Sequence, residues 1–146
     1  MEIKPYIIYP DTASSAISPE GGVVSKYISE PGQVSFGTVD FAPGLFRALH
    51  HHNTWELIIL DSSSEGSGYT FFDGHWWRVD PGSAVFVPKG YPHAWSSDKN
   101  SGFKMLWVYG GTREEAGRIR EEDGAVAKPI TPGEARKVPR WTPKVA

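Results

Sequence analysis

The 146 residues contain no cysteine. Disulfides and thiolate metal ligands are thereby excluded, which argues against a copper electron-transfer centre and agrees with a cytoplasmic location. An excess of either charge is also missing. Fifteen Lys+Arg against 17 Asp+Glu leave a net charge of −2, and no basic run occurs, so a nucleic-acid partner is not expected. No apolar run approaches the ~18 residues of a transmembrane helix, so no membrane association is expected. The opening Met1–Tyr6 lacks the basic-then-apolar order of a signal peptide. No internal repeat is visible.

What is present is aromatic and turn-rich. Aromatics make up 13% of the chain, with six Trp, and there are 16 Gly and 12 Pro. Tyr6–Tyr9, bracketed by Pro5 and Pro10, reads as an edge strand, and residues 11–22 as a loop. Val23–Ile28 and Gln33–Phe41 read as strands. Residues 57–60 are apolar on both faces, as in a strand covered on both sides, so a homodimer is one way to supply the second cover. Asp73-Gly74 between two β-rich runs is the pattern of a type I′ hairpin turn. Phe103, Met105, Trp107 and Tyr109 alternate with Lys104, Leu106 and Val108, which points the aromatic set inward. Thr112 and Glu115 have capping-box spacing for a helix over 112–122. The remainder is punctuated by Pro129, Pro132, Pro139 and Pro143, and little regular structure is expected there. Many short strands with Gly/Pro turns mean an all-β sandwich or barrel in a chain long enough for one core.

The chemistry is concentrated in Gly44–Glu56. Side chains alternate along a strand, so His50, His52 and Glu56 share a face while His51 points away. Two imidazoles and a carboxylate suit a first-row transition metal. A second stretch, Gly82 to His93, is an apolar strand followed by a turn built on Pro88, Gly90 and Pro92, with His93 next and Trp95 on the same face. His75 follows the tight turn and reads as solvated.

These two stretches resemble the paired motifs of the cupin superfamily. The first motif is Gly, five residues, His-x-His, three or four residues, Glu, and a later Gly. Gly44, His50, His52 and Glu56 match it. The closing glycine is displaced, with Ser63 at its position and Gly66 three residues on. The second motif, Gly, five residues, Pro-x-Gly, two residues, His, then Asn three residues later, is matched by Gly82, Pro88, Gly90 and His93, with Ser97 at the Asn position. The resemblance spans about residues 33–110 and implies a double-stranded β-helix, the RmlC-like jelly-roll barrel. On this reading 33–111 is the barrel core, 1–32 supplies N-terminal strands and a loop packed on it, and 112–146 forms a short helix and an extended proline-rich tail.

The resemblance also implies a metal site of His50, His52, Glu56 and His93 for one divalent ion among Fe, Mn, Ni, Co and Zn. A metal-free pocket of mutually hydrogen-bonded side chains is the competing reading. Phe46, Trp95, Met105 and Trp107 would line the pocket, and Tyr109 is the candidate catalytic acid/base. Few basic residues fall on the inward faces. The substrate would therefore be small, partly apolar or aromatic and oxygen-chelating, and the reaction of dioxygenase or isomerase/cyclase type. The alternative is a non-catalytic ligand-binding or sensing cupin. Trp55–Leu60, the Asp73-Gly74 hairpin and Pro81–Pro88 also resemble the sensing domain of arabinose-regulator-type transcription factors. The 35 residues after Gly111 are too few for the helix-turn-helix domain such regulators carry.

Overall fold

The computed structural model describes residues 3–18, 22–121 and 127–143. Among these residues eleven strands form two antiparallel sheets. One sheet runs β1 (Ser14–Ile17), β2 (Val23–Glu30), β3 (Val34–Phe41), β10 (Phe103–Tyr109), β5 (Glu56–Leu60), β8 (Ala84–Val87). The other runs β11 (Ile119–Arg120), β4 (Phe46–His51), β9 (His93–Ser97), β6 (Gly68–Phe72), β7 (His75–Val79). Two one-turn helices, α1 (Arg113–Ala116) and α2 (Pro132–Ala135), follow the last long strand. Two face-to-face sheets of this order make the double-stranded β-helix that the paired motifs imply.

The alternation read in β10 is realised. Phe103, Met105, Trp107 and Tyr109 are buried and Lys104, Leu106 and Val108 only partly so. The odd set packs with Val39, Phe41, Leu45, Ile58, Leu60 and Trp95 into the core between the sheets. Asp73 and Gly74 both take positive φ, 54° and 80°, as a type I′ turn requires, and β6 pairs with β7 across it.

A second apolar layer lies outside the β4–β9–β6–β7 sheet. Tyr69 and Trp76 pack against Ile130, Ala135 and Val138, and Phe71 and Ala94 against Ala127. The proline-punctuated tail thus covers this face, pinned by the Arg78 N–H bond to the Pro139 carbonyl (2.8 Å) and by Arg140 on Asp80.

Three expectations are corrected. Tyr6–Tyr9 is exposed except for half-buried Ile8 and is not a strand; the edge strand is Ser14–Ile17, inside the stretch read as loop, where β2 offers it a ladder. The remainder of that loop reading, residues 19–21, lies outside the described residues. The helix over 112–122 has only one turn. Thr112 and Glu115 do form the capping box, but Gly117, at φ 61° and ψ 179°, ends it at Ala116, and the chain becomes β11. That backbone region is open essentially to glycine alone. Glu122 lies outside the described residues.

The third correction concerns β4. Its pairing with β9 runs Arg47↔Trp95 and then His50↔His93, three steps on one strand against two on the other. The extra residue is a bulge, and a bulge reverses parity. Before it Leu45 and Arg47 face the interior, whereas Phe46 packs outside with Trp76 and the Phe71–Ala94 cluster. After it His50 faces inward. Phe46 is therefore not a pocket residue.

Candidate metal centre

Four neighbouring segments place the imidazoles and the acid. His50 stands on β4, His52 just beyond it, Glu56 opens β5 and His93 opens β9. The Pro88-x-Gly90 turn is tied to the first motif by the Gly90 N–H bond to the His52 carbonyl, 2.9 Å. All four side chains are at least 95% buried. The ligand atoms of His50, His52 and His93 lie within 4.8 Å of one another. Ring centroids are 4.8 Å apart for His50–His52, 4.4 Å for His50–His93 and 5.3 Å for His52–His93. Glu56 joins this group: Oε2 is 2.8 Å from His52 Nε2 and Oε1 is 4.0 Å from His93 Nε2.

The other nitrogen of each ring is held by backbone. His50 Nδ1 meets the Ala48 carbonyl at 2.7 Å and His93 Nδ1 the Tyr91 carbonyl at 2.9 Å, while His52 Nδ1 meets the carbonyl of Gly117. A carbonyl only accepts, so each Nδ1 carries a proton, and on a neutral ring Nε2 is then the lone pair. Burial, reinforced by the neighbouring imidazole of His93, holds the His50 pKa far below its ordinary value. Burial also lowers that of His93, against the opposing pull of Glu56. Both rings stay neutral. Burial alone would raise Glu56, but His52, His93 and the Tyr109 hydroxyl hold it below the usual carboxylate value.

This arrangement tests whether a cation fits. His93 Nε2 and Glu56 Oε2 are buried without a hydrogen-bond partner, although Oε2 stands 2.8 Å from His52 Nε2. Lone pairs facing lone pairs in a buried space are costly unless positive charge sits among them. Outer carbonyls fixing Nδ1–H are the usual support of imidazole ligands. The donor set fits a divalent transition ion.

Tyr109 closes one side. Its register partner on β5 is Glu56, and its ring lies 4.9 Å from that of His52. Burial, and then Glu56, push its pKa well up, so it is a phenol with a proton to donate. Trp95, Met105 and Trp107 belong to the core beneath. The open space is a cavity of about 400 Å³ whose lining includes His52, Tyr109, Lys26, Arg47, Arg113, Glu114, Gly117 and Arg118. The few-inward-cations expectation is overturned at this point, because the β4 bulge turns Arg47 inward and the α1 segment folds back over the opening. His51 faces away and pairs with Glu121 at 2.5 Å, and His75 is exposed.

Sequence reasoning missed the Gly117 carbonyl, the arginine wall and Ser97. The hydroxyl of Ser97 donates to the Ala42 carbonyl at 2.6 Å and accepts from the Leu45 N–H at 2.8 Å, stapling the turn into β4. The one signal for Gly117 was a glycine straight after a capped turn.

Comparison with known proteins agrees with this fold. The polyketide cyclase RemF of Streptomyces resistomycificus superposes with a TM-score of 0.67 at 20% identity, covering 83% of this chain and 90% of that one. An RmlC-like cupin of Shewanella frigidimarina gives 0.66 at 16% identity, covering 79% and 98%. The DMSP lyase DddQ of Ruegeria pomeroyi gives 0.60 at 20% identity, covering 75% of this chain and 61% of that one. No curated protein matches in sequence. The model of the AraC-like ligand-binding domain matches residues 34–136, and the chain belongs to that family, within the cupin superfamily.

Proposed function

We propose that this chain is a small metal-dependent cupin enzyme acting on a small oxygen-chelating substrate, by a dioxygenase or isomerase/cyclase type of reaction. The observation that carries it is the convergence of three buried Nε2 atoms and a carboxylate, with every Nδ1 bonded to backbone. His50, His52, His93 and Glu56 would hold the ion, and when bound it supplies Lewis acidity toward a chelated oxygen. The barrel core of 33–111 bears these groups. Tyr109 holds a proton at its hydroxyl, next to Glu56, where it can be given to a substrate oxygen. The core under the cavity excludes water from that side.

The test is metal analysis of untagged protein, with oxygen uptake measured on a panel of diketones and phenols. Stoichiometric iron, nickel or manganese is expected, and His52→Ala should lower the content at least severalfold. Full occupancy in that variant would remove His52 from the site. The second reading, a ligand-binding module without turnover, is favoured by the family itself. It predicts saturable binding with no product on any panel member.

We further propose a homodimer. Across the outer face of the first sheet, Phe86, Leu57, Val108 and Phe36 are successive cross-strand partners, and Phe86 is 62% exposed. Tyr27 edges Phe36 and Trp55 flanks Phe86, while Phe36, Leu57 and Val108 remain only partly buried. Such a face buries well against its own copy. Light scattering is expected to give twice the 16.1 kDa chain mass, and Phe86→Glu to return it to the single value.

A further inference from the structure

A second cleft lies where β7 and β8, the last strands of the two sheets, come together without pairing. It holds about 560 Å³, and none of His50, His52, Glu56 and His93 lines it. Its walls include Thr70 and Phe72 of β6, Trp77 and Val79 of β7, Val85 of β8 and Trp141 of the tail. Trp77 is a fixed wall. Its indole N–H donates to the Phe72 carbonyl at 3.3 Å, and the rings of Phe72 and His75 flank it, each at 5.9 Å. With that N–H spent, what Trp77 offers a ligand is ring surface. Trp141 is 53% exposed, a large ring that the chain's own core leaves uncovered. Aromatic walls on a concavity of this size favour a flat aromatic guest over a saturated one of equal bulk.

The polar groups narrow the class. Thr70 is 1% exposed and its hydroxyl donates to the Ala94 carbonyl at 3.1 Å, so toward a ligand it can only accept. Ser83 adds a second hydroxyl to the lining. The charged groups of the cleft, Arg78, Asp80 and Arg140, engage one another, at 2.9 Å for Arg78–Asp80 and 2.6 Å for Arg140–Asp80. They frame the cleft and call for no charge on the ligand.

We propose that this cleft binds an uncharged, flat aromatic molecule bearing a hydroxyl, its ring against Trp77 and Trp141 and its O–H donating to Thr70. The site needs no metal and is separate from the cavity over His52 and Tyr109.

The experiment is equilibrium dialysis of the full chain at neutral pH, metal-loaded and metal-stripped, against three probes: 2-naphthol, its saturated analogue trans-2-decalol, and 2-methoxynaphthalene, which cannot donate. 2-Naphthol is expected to saturate at one molecule per chain in both forms, tenfold or more tightly than decalol and at least threefold more tightly than the methoxy compound. Trp77→Leu should weaken it tenfold or more. Trp141→Ala, at a ring half in water, should weaken it at least fivefold and guards against a folding defect in the first variant. Equal affinity for naphthol and decalol, no saturable binding, or binding that Trp141→Ala leaves unchanged overturns the proposal. So does binding confined to the metal-loaded form, because naphthol would then be a ligand of the ion. Light scattering on Trp141→Ala tests the other occupant: a fall from twice the chain mass to the single mass would make the cleft a surface between copies and overturn the proposal too. A chain that purifies without metal yet binds naphthol through Trp141 supports this proposal and defeats the metal-centre reading instead.

Discussion

The floor and the wall of the cavity are built by different means. The floor is His52 and Tyr109; behind it His50, Glu56 and His93 stand on β4, β5 and β9, and Tyr109 itself on β10, four strands drawn from both sheets. Their positions follow from ladder register and core packing. Much of the wall, Arg113, Glu114, Gly117 and Arg118, comes from chain that follows the last long strand. It is fastened to the floor by two backbone bonds, the Asn53 N–H to the Ala116 carbonyl at 2.7 Å and the Glu121 N–H to the Leu49 carbonyl at 3.0 Å, and by the His52 imidazole on the Gly117 carbonyl. Sheets set where the imidazoles are, and the added segment sets how one of them is turned. Two kinds of dependence follow, one on the cooperative core and one on a local attachment.

The largest effect should separate them. Ile58, wholly buried between the sheets, is at the centre of the core, whereas Ile130 packs the tail on the outer layer. Ile58→Ala is expected to cost ~3–5 kcal/mol and Ile130→Ala ~2 kcal/mol, since the outer site can relax more readily. Urea unfolding followed by tryptophan fluorescence measures both. Equal losses would make tail and barrel a single unit and erase the distinction.

Next in size is the joint between floor and wall. Gly117→Ala forces a Cβ into a backbone region that only glycine adopts freely, at a cost of ~1–3 kcal/mol. Relief by backbone rotation would swing away the carbonyl that orients His52. A roughly tenfold loss of metal affinity is expected, the lower end for removal of an imidazole's outer partner. Chelator competition reads it. Unchanged affinity with lowered stability would mean that the sheets alone orient His52.

The same division decides what could be read in advance. Strand periodicity, the Asp73-Gly74 turn and the spacing of His50, His52, Glu56 and His93 are local patterns, and local patterns survive in a sequence. The β4 bulge is not local. It arises where β4 must meet β9 at both Arg47 and His50, so strict alternation placed Phe46 inside and Arg47 outside. Ser14–Ile17 carries little β signal of its own and is a strand because β2 pairs with it. Arg113 and Arg118 fall in the stretch read as one helix, and the turn at Gly117 is what sets Arg118 beside Arg113 at the cavity.

The smallest effect is at the far fastening of the tail. Asp80 accepts from Arg140 Nε at 2.7 Å, lies 2.6 Å from its Nη2, and also accepts from the Ser67 hydroxyl at 3.0 Å. Arg140 foremost holds the Asp80 carboxyl below its ordinary 3.8. A depressed folded-state pKa contributes stability that is fully present above the unfolded value and is lost as pH falls through the folded one. The pair is largely exposed, so ~0.5–1 kcal/mol is the expected scale. Asp80→Asn should therefore lower the urea midpoint slightly at pH 7 and leave it equal to wild type near pH 2. If the difference persists undiminished in acid, the tail is held there by packing of Val138 and Ile130 rather than by charge.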